Sequence, residues 1–475
     1  MILKELLQDI EYEGNADIEI NRIQSNSLKV EPGDAFVCIE GYETDGHKYA
    51  KDSSQKGAAV IIAMHSVEAD CPVVIVKDTR RVLALLCARY WGNPSKRFKL
   101  VGVTGTNGKT TTTYLVKTIL ENAGHKVGLI GTNQNMIGNK VLPASRTTPD
   151  SFELQKIFKS MADEKCDTVI MEVSSHALYL DRVYGSDFDI GLFTNITQDH
   201  LDFHKTMENY LAAKTLLFKM CKKGIINGDD ERAGYVIKNA TCPMTTYSID
   251  KSSDVKADNV KMTEKGVSFD ALGQHYELKI PGKFSVYNAL GAILICDALG
   301  VERNKIAEGL KIAHGVKGRA EVVDLGYDFT VLIDYAHTPD GIENILKTVK
   351  GFAKGRVIIL FGCGGDRDNK KRPIMGKIAS SLADFVIVTS DNPRTEKPSA
   401  IIDEIMVGID KTKPYTVIEN RRDAIEYAVK NAKKDDVIVL AGKGHETYQT
   451  IGKENFHFDE REILFEIKNE MEGKK

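Results

Sequence analysis

A glycine-rich segment with a lysine begins where an apolar run ends. The run Lys99–Val103 leads into Thr104–Thr111, which reads T-G-T-N-G-K-T-T, and a helical pattern follows. Glycines let backbone N–H groups turn toward phosphate oxygens, and a helix N-terminus adds positive potential. Lys109 would reach the β- and γ-phosphates, and Thr110 would place a hydroxyl on Mg²⁺. The usual phosphate-loop pattern has glycine where this chain has Val103, so a ligand-free turn is the alternative, but the strand–loop–helix order favours a nucleoside triphosphate.

A carboxylate and two histidines follow the next apolar runs. Glu172 ends the run Thr168–Val173, where a buried carboxylate is costly without a partner. Next to a phosphate loop, Mg²⁺ is the expected partner, and a helix cap or ion pair is the alternative. His200 and His204 are spaced i, i+4 and could share one helix face. We expect one of them to bind metal or phosphate.

Lys214 occupies an unusual position in a helical pattern. The residues around it include Tyr210, Leu211, Leu217 and Phe218, which form one apolar stripe, and Lys214 falls within that stripe. Such a lysine either extends its ammonium group to solvent or has a shifted or modified charge. The residues alone leave both interpretations open.

The last third of the chain places charged residues after three further apolar runs. Arg367, Arg394 and Glu446 each lie in a loop that follows a predicted strand. The arginines can each bind a carboxylate with two hydrogen bonds, and the glutamate can pair with an ammonium group. A diamino diacid would satisfy all three. Surface ion pairs are the alternative, which is weaker for three coordinated loops.

The elements that position these residues are predicted strands alternating with helices. This pattern predicts an α/β protein with parallel sheets, whose ligands bind beyond the carboxyl ends of the strands. The 475 residues are too many for one core, and we predict domains at 1–97, 98–317 and 318–475. The predicted strands are Ala35–Ile39, Ala58–Ala63, Val73–Val76, Leu100–Val103, Lys126–Ile130, Thr168–Val173, Ile190–Thr194, Gly224–Ile226, Thr330–Asp334, Arg356–Phe361, Phe385–Thr389 and Val437–Ala441.

The overall composition is that of a soluble globular protein and excludes several classes of function. A formal net charge of −3 does not favour nucleic acid as a partner. The eight cysteines form no C-x-x-C pair, which favours reduced thiols over zinc or disulfide sites. The N-terminal segment lacks the pattern of a signal peptide, and the apolar runs are too short for a membrane span. We therefore expect a cytoplasmic protein without membrane insertion.

Over nearly its whole length the sequence resembles the Mur ligases, most of all those of the MurE type. The Val103 departure agrees with this family, whose own loop reads T-G-T-x-G-K-T. The motifs that carry the resemblance are Thr104–Thr111, Met171–His176, Thr194–His200, Lys214, Pro281–Phe284 with Asn288, Gly318-Arg319, Asp334–Pro339, Gly362–Asp368, Asp391–Arg394 and Gly442–Glu446.

The resemblance implies a three-domain fold and an amide-forming reaction. The domains would be an N-terminal uridine-nucleotide domain, a central P-loop ATPase-like domain and a C-terminal Rossmann-like domain that receives the amino acid. ATP would phosphorylate the D-glutamate γ-carboxylate of UDP-MurNAc-L-Ala-D-Glu. Two Mg²⁺ ions would accompany the ATP. The amine of meso-diaminopimelate would attack the acyl phosphate and release phosphate, in peptidoglycan precursor synthesis by a monomeric enzyme.

The resemblance also assigns roles to individual residues. Lys109, His200 and Lys214 would be catalytic, with Lys214 carried as a CO₂-derived carbamate, and Thr110, Glu172, His200 and Lys214 would hold metal. ATP would contact Gly105, Thr106, Asn107, Gly108, Lys109, Thr110, Thr111, Asn288, Arg319, Asp334 and His337. UDP-MurNAc-dipeptide would contact Ser27, Thr147, Thr148, Ser174 and Arg182. The amino acid would contact Arg367, Asp391, Asn392, Pro393, Arg394, Gly442 and Glu446.

Three different activities remain possible beside this interpretation. Lysine-adding members typically lack the arginine that stands here as Arg394, so this residue favours meso-diaminopimelate. A folylpolyglutamate synthase shares the phosphate loop but is not expected to have the Asp391–Arg394 segment. A nucleotide-dependent switch would not need Lys214 or the charged C-terminal loops.

Two segments depart from the family pattern. The segment Asn26-Ser27-Leu28 stands where family members commonly have Asp-Ser-Arg. Arg146 stands where asparagine is common, so no role is assigned to that position.

Overall fold

The computed structural model describes residues 1–41, 44–144, 146–263 and 266–473. Three larger sheets lie in order along the chain, each with helices packed on it, and the predicted α/β class is confirmed. In the described residues no helix is both long and apolar enough to cross a membrane. The predicted limits of the domains stay a prediction.

The first sheet is small and mostly parallel. Its neighbouring strands, in spatial order, are Tyr12–Glu13, Val73–Val76, Val60–Ala63, Ala35–Val37 and Ile23–Gln24, of which only the first is antiparallel. The helices around it are Leu3–Leu6, Ala50–Gln55 and Thr79–Tyr90, with 3₁₀ turns at Ser27–Lys29, Gly46–Tyr49 and Pro94–Arg97.

The second sheet is the largest, and its central strands are buried on both faces, as parallel strands between helix layers are. In spatial order the strands are Val255–Lys256, Met244–Ser248, Cys221–Asn227, Phe188–Phe193, Lys99–Thr104, Thr168–Glu172, Val127–Ile130, Asn135–Ile137 and Lys140–Leu142, with the last two antiparallel. Its helices are Lys109–Asn122, Ser151–Asp163, Ser175–Tyr179, Leu201–His204, Met207–Thr215, Ala233–Asn239, Lys283–Ala298 and Arg303–Ile312, with a 3₁₀ turn at Leu216–Lys219.

A three-stranded antiparallel sheet that we did not predict covers part of this middle region. Its strands are Asp258–Thr263, Gly266–Ala271 and Gln274–Leu278. Phe269 and Tyr276 on its inner face share one hydrophobic core with the helices Lys109–Asn122 and Lys283–Ala298. The small sheet therefore supports the helix that begins at the phosphate loop.

The third sheet is again mostly parallel. Its strands in spatial order are Glu321–Val323, Thr330–Asp334, Val437–Ala441, Val357–Phe361, Phe385–Val388 and Tyr415–Val417, with only the first antiparallel. The helices are Pro339–Lys350, Lys371–Leu382, Pro398–Met406, Arg421–Lys430 and Glu460–Met471. A hairpin of Tyr448–Ile451 and Glu454–His457 lies beside the loop of Arg394.

Candidate active site

The phosphate loop joins the strand Lys99–Thr104 to the helix Lys109–Asn122 and needs glycine at two positions. Gly105 and Gly108 have φ angles of +149° and +87°. A Cβ atom on Gly105 would lie 1.9 Å from Thr194 Oγ1, and one on Gly108 would lie 2.4 Å from Asn288 Oδ1. Side chains at either position would therefore collide with neighbouring elements, in addition to the backbone strain.

The end of the adjacent strand holds this loop in shape. The Thr106 and Asn107 amides donate to the Asn195 carbonyl and to Asn195 Oδ1, both at 2.9 Å. Thr194 Oγ1 donates to the Asn107 carbonyl at 2.6 Å. The sequence did not single out Asn195, although it lies in the motif Thr194–His200. These hydrogen bonds preorganise the loop, which reduces the entropy lost when a ligand binds.

Two lysine ammonium groups meet at one backbone oxygen of the loop. Lys109 Nζ donates to the Gly105 and Thr106 carbonyls, each at 2.9 Å, and Lys214 Nζ donates to the Gly105 carbonyl at 2.7 Å. Lys214 is only 1% exposed and lies 4.5 Å from the centroid of the Tyr210 ring. Burial, and then the charge of Lys109, hold the pKa of Lys214 well below its usual range. Lys214 therefore does not extend to solvent.

Glu172 is buried and lies against the hydroxyl group predicted to bind Mg²⁺. Thr110 Oγ1 donates to Glu172 Oε1 at 3.0 Å, and the Thr132 amide and hydroxyl donate to the same carboxylate at 2.9 Å. In the described part of the chain, no group of three or more histidine, cysteine, aspartate or glutamate residues could hold a metal ion. These ligands suit Mg²⁺ that is completed by phosphate oxygens, which is how Mg²⁺ commonly binds with nucleotides.

His200 lies at the same edge of the sheet, beside two other histidines. It caps the one-turn helix Leu201–His204, with φ at +54°, and its carbonyl accepts from the His204 amide at 2.9 Å. His204 is buried and its Nε2 lies 2.9 Å from Ser175 Oγ. The His200 ring packs 4.9 Å from that of His176, and burial lowers the pKa of His200. Of the two predicted histidines, His200 is the more accessible.

A cavity of about 270 Å³ opens between the second and third sheets, directly over the phosphate loop. Residues from both sides form it, and Phe284, Tyr287 and Ile345 provide apolar and aromatic surface. Most of the predicted ATP positions line this cavity, namely Thr106, Asn107, Gly108, Lys109, Thr110, Thr111, Asn288, Arg319 and Asp334. The phosphate loop and the aromatic surface are suited to a nucleotide.

Residues of the connecting segment and of a strand end in the third sheet close the cavity. Arg319 Nη2 donates to Thr110 Oγ1 at 3.4 Å, and its guanidinium carbon lies 4.6 Å from the Tyr335 ring centroid. Asp334 accepts from the backbone amides of Ala320 and Ala336 at 2.6 and 2.8 Å, and burial raises its pKa. His337 Nδ1 lies 2.7 Å from the Tyr335 carbonyl rather than at the cavity wall.

Four of the five residues predicted to contact the UDP-linked substrate lie together next to Glu172. Thr132 Oγ1 donates to Thr147 Oγ1 at 3.1 Å, and Thr148 Oγ1 donates to the Glu172 carbonyl at 2.9 Å. The Ser174 amide donates to Thr148 Oγ1 at 3.0 Å, and Arg182 donates to the Thr148 carbonyl at 3.4 Å.

The fifth of these residues, Ser27, lies in the first sheet's region. It begins a 3₁₀ turn, and its carbonyl accepts from Lys56 Nζ at 2.7 Å. Its neighbour Leu28 is 85% exposed. The turn therefore offers an apolar side chain where the family commonly has arginine.

The two predicted arginines of the third domain lie against the same glycine. A Cβ atom on Gly364 would lie 2.9 Å from Arg394 Nη1 and 3.9 Å from Arg367 Cγ. Arg394 donates to the Gly365 carbonyl at 2.8 Å and Arg367 to the Asp366 carbonyl at 3.0 Å. Since each guanidinium group has five N–H donors, both keep donors for a ligand.

Glu446 lies beside the Asp391–Arg394 segment and is joined to it directly. Asn392 Nδ2 donates to Glu446 Oε2 at 2.8 Å. A Cβ atom on Gly442 would lie 2.5 Å from Asp391 Oδ2, so the two loops touch where glycine is required. Pro393 lies inside the same loop, and its carbonyl would be 1.9 Å from a Cβ atom on Gly365.

Two residues of this region were missed by the sequence analysis. Tyr335 lines the cavity, and its hydroxyl lies 3.5 Å from Glu446 Oε1, so it joins the nucleotide cavity to the charged loops. Lys443 is completely buried and donates to Asn392 Oδ1 and Glu446 Oε2 at 3.1 and 3.4 Å. Both belong to motifs of the family, but a motif does not tell which of its side chains point inward.

Three family models match the chain in sequence order. They are "Mur ligase family, catalytic domain" at residues 19–91, "Mur ligase middle domain" at 103–296 and "Mur ligase, glutamate ligase domain" at 318–444. Each matched segment contains one of the three sheets or most of it.

Curated proteins and a solved structure are similar over the full length. A UDP-N-acetylmuramoyl-L-alanyl-D-glutamate--2,6-diaminopimelate ligase of Clostridium botulinum is 52% identical and covers 99% of both chains. One of Clostridium acetobutylicum is 50% identical, covering 99% of this chain and 100% of its own. A solved structure of a ligase with the same name is 30% identical, covers 99% of both chains and has a TM-score of 0.72.

Proposed function

This chain belongs to the Mur ligase family, and we propose that it is the ATP-dependent ligase that adds meso-diaminopimelate to UDP-MurNAc-L-Ala-D-Glu. The full-length relatives at about half identity carry the name of that activity. The observation that carries the proposal is the contact between the Asp391–Arg394 loop and Glu446, next to the nucleotide cavity. In this proposal Arg367 and Arg394 supply donors for two carboxylates and Glu446 supplies an acceptor for an amine, and Tyr335 joins Glu446 to the nucleotide cavity.

The first half of the reaction activates the D-glutamate γ-carboxylate. A carboxylate oxygen attacks the γ-phosphorus of ATP, the bond to ADP breaks, and an acyl phosphate forms. The Lys109 ammonium group exchanges its backbone carbonyl partners for the transferring phosphate and stabilises the charge on it. Arg319, just before the third sheet, donates to the Thr110 hydroxyl of the phosphate loop. Asn288 and Asp334 line the cavity that holds the rest of the nucleotide in this proposal.

Magnesium accompanies the nucleotide in this proposal. Thr110 and Glu172 hold one ion, since their oxygens already meet at 3.0 Å and the carboxylate is buried. His200 helps to hold a second ion. Bound magnesium neutralises phosphate charge and orients the transferred group.

The proposal assigns Lys214 an N-carboxylated side chain. Its ammonium group and that of Lys109 share the Gly105 carbonyl, an arrangement in which like charges repel. The lowered pKa leaves the amine free to add to CO₂, losing a proton and forming a carbamate anion. The anion would replace the repulsion by attraction to Lys109 and provide a further metal ligand. The pair of lysines by itself supports the modification.

The second half of the reaction joins the amino acid. Arg394 and Arg367 bind carboxylate, and Glu446 binds ammonium, of meso-diaminopimelate. The free amine attacks the acyl carbon, a tetrahedral intermediate forms, and phosphate leaves as the amide is completed. Gly442, Asp391, Asn392 and Pro393 shape the loops on which these three side chains stand.

The UDP-linked substrate extends across the first two domains in this proposal. Thr147, Thr148, Ser174 and Arg182 bind its muramoyl-dipeptide end near Glu172, and Ser27 contacts the uridine end. The domains follow the limits 1–97, 98–317 and 318–475. The enzyme acts as a monomer in the cytoplasm, where nucleotide-linked precursors of peptidoglycan are made.

An amino-acid screen tests the proposal. The purified protein is given ATP, Mg²⁺ and UDP-MurNAc-L-Ala-D-Glu, and ADP release is measured with single amino acids. We expect the fastest ADP release with meso-diaminopimelate and a release at least about 100-fold slower with L-lysine, because a site built for a carboxylate rejects a ligand without one. Faster turnover with L-lysine would assign the lysine-adding activity instead.

Two further arms of the same screen test for a folylpolyglutamate synthase and for a nucleotide-dependent switch. Replacing the UDP-linked substrate by a folate with L-glutamate should give no ADP, and turnover there would assign a folylpolyglutamate synthase. ADP release without any amino acid would indicate a nucleotide-dependent switch.

A further inference from the structure

Lys443 is a completely buried cation to which the reaction described above gives no task. It follows the strand Val437–Ala441 and lies between the Asp391–Arg394 loop and Glu446. The rings of Tyr448 and Phe458 lie 5.9 and 5.6 Å from its ammonium nitrogen. A lysine is almost never fully buried unless paired, because desolvating its charge is costly.

The contacts of Lys443 fix the orientation of the Asn392 amide. Asn392 Oδ1 accepts from Lys443 Nζ at 3.1 Å and from the Thr450 backbone amide at 2.9 Å. With its oxygen held by two donors, the amide must direct Nδ2 the other way, and Nδ2 donates to Glu446 Oε2 at 2.8 Å. A reversed amide would place the Asn392 NH₂ group against two other donors, Lys443 Nζ and the Thr450 amide.

Lys443 also binds the same oxygen of Glu446 directly. Its Nζ lies 3.4 Å from Glu446 Oε2, so this oxygen receives both the amide and the ammonium group. The other oxygen, Oε1, faces the Tyr335 hydroxyl at 3.5 Å, on the side of the nucleotide cavity. Oε2 therefore receives two donors, while Oε1, which receives the Tyr335 hydroxyl, keeps acceptor capacity for a ligand.

Lys443 is also the cation with the largest effect on two buried carboxylates. Burial and then Asp391 raise the pKa of Glu446, and Lys443 lowers it. Against the effect of burial, Lys443 and then Arg421 lower the pKa of Asp391. Arg421 lies 3.9 Å from Asp391 and is itself paired with Glu460. Without Lys443, Arg421 would be shared between Asp391 and Glu460, and Glu446 would lose the cation that lowers its pKa.

We propose that Lys443 is a positioning residue for the amino-acid substrate, which orients Asn392 and Glu446 so that Glu446 Oε1 can accept a hydrogen bond from the substrate ammonium group. The inference rests on the proposed function, because it takes Glu446 as the partner of that ammonium group. Lys443 occupies the inner side of the carboxylate, and the substrate amine takes the outer side. The residue thus determines affinity for the amino acid, and not for the nucleotide.

The Lys443→Met variant tests this assignment by steady-state kinetics on the full-length enzyme. Methionine keeps a similar length without charge or donors. We expect KM for meso-diaminopimelate to rise about tenfold or more, as for the loss of charged hydrogen bonds, with KM for ATP and for UDP-MurNAc-L-Ala-D-Glu within about twofold. A matched Lys453→Met variant, which changes an exposed lysine of the hairpin, should leave all three constants unchanged.

The folding of the variant is checked by ADP binding in calorimetry, because a merely structural role would weaken all ligands together. If Lys443→Met does not fold, Lys443→Gln is measured, which keeps an amide donor for Asn392 but removes the charge. We expect the same selective rise in KM, of smaller size. Equal changes for all three substrates, or an unchanged KM for meso-diaminopimelate, would overturn the assignment.

The measurements separate the role of Lys443 from the proposed function. If the wild-type enzyme does not use meso-diaminopimelate, the proposed function is wrong. If it does, and the Lys443 variants have an unchanged KM for meso-diaminopimelate, only the role of Lys443 is wrong.

Discussion

In the candidate active site, two lysine ammonium groups share the Gly105 carbonyl oxygen. It accepts from the ammonium groups of both Lys109 and Lys214. Two buried cations at one oxygen repel each other, and this repulsion adds to the cost of burial. A neutral or carboxylated Lys214 removes the conflict, and an anionic carbamate would also favour the charged form of Lys109.

The Lys214→Ala variant is predicted to lose most of the ligase activity. Removing a charged group that acts on the transferring phosphate costs about 100-fold or more in kcat. If the lost group is a carbamate, short carboxylates such as formate should restore part of the rate by occupying the space left beside Lys109. ADP release with all substrates measures both effects.

The control for this experiment is Lys219→Ala, because Lys219 is exposed and lies just beyond the end of the helix that carries Lys214. It should leave the rate unchanged. Full activity of Lys214→Ala, or full activity of the wild-type enzyme in CO₂-depleted buffer, would contradict the carbamate.

The Arg394→Ala variant is predicted to lose meso-diaminopimelate selectively. The guanidinium group lies against Gly364 beside Arg367, and its removal leaves the distal carboxylate of the substrate without a charged partner. We expect kcat/KM for meso-diaminopimelate to fall about 100-fold or more, while ADP affinity stays constant. Calorimetry measures the ADP affinity, and a coupled assay measures kcat/KM for meso-diaminopimelate.

Arg303→Ala serves as the matched arginine control, since Arg303 forms a surface ion pair with Asp297 in the second sheet's region. Unchanged meso-diaminopimelate kinetics in Arg394→Ala would exclude the carboxylate-binding role.

At the scale of elements, buried parallel strands were the easiest to predict. Val73–Val76, Thr330–Asp334 and Val437–Ala441 have the predicted limits, because each is a short, mainly apolar run rich in β-branched residues. The strand Asp258–Thr263 was missed, since most of its residues are exposed and it lacks an apolar run. Its place is determined by the neighbouring strand and by the core behind it, which are tertiary effects.

The candidate site was predictable at its strand ends but not in its pairings. The rule that ligands bind beyond the carboxyl ends of parallel strands directed attention to Glu172 and Glu446. It could not indicate that Tyr335 and Lys443 contact Glu446, because a contact between side chains depends on how the loops fold. Nor could it show that His204 pairs with Ser175.

The helix Arg421–Lys430 contributes a buried arginine that ties together the loops of the amino-acid site. Arg421 donates to the Ala441 carbonyl at 2.8 Å and to the Ser390 carbonyl at 3.3 Å. It also pairs with Glu460 at 2.8 Å, and both side chains are completely buried. Since Ala441 and Ser390 precede the two charged loops, this arginine fixes the distance between them.

Arg421→Met is therefore predicted to destabilise the protein by about 3–5 kcal/mol, because Glu460 is left buried without a partner. The urea midpoint of the third domain measures the change. Arg422→Met is the matched control one residue later, where the ion pair with Glu470 is exposed, and we expect a change below about 1 kcal/mol. Equal midpoints for the two variants would refute the importance of the buried pair.

At the scale of the whole molecule, the nucleotide cavity depends on contacts between the second and third sheets. Asn107 Nδ2 donates to Asp340 Oδ2 at 2.6 Å, and Asn133 donates to the Lys317 carbonyl at 3.1 Å. The connecting segment 313–320 is without helix or strand. Such an arrangement permits the third domain to change its position when ligands bind.

We predict that the molecule becomes more compact when all ligands are present. The proposed contacts of the UDP-linked substrate run from Ser27 to Glu172, and those of ATP and the amino acid run from the phosphate loop to Arg394. Ligands that contact two domains at once favour the state in which the domains are closest, by their differential affinity. Small-angle scattering should show a smaller radius of gyration with ADP, UDP-MurNAc-L-Ala-D-Glu and meso-diaminopimelate together, and a smaller effect with ADP alone. Superimposable curves with and without ligands would mean that the three domains already stand in their final arrangement.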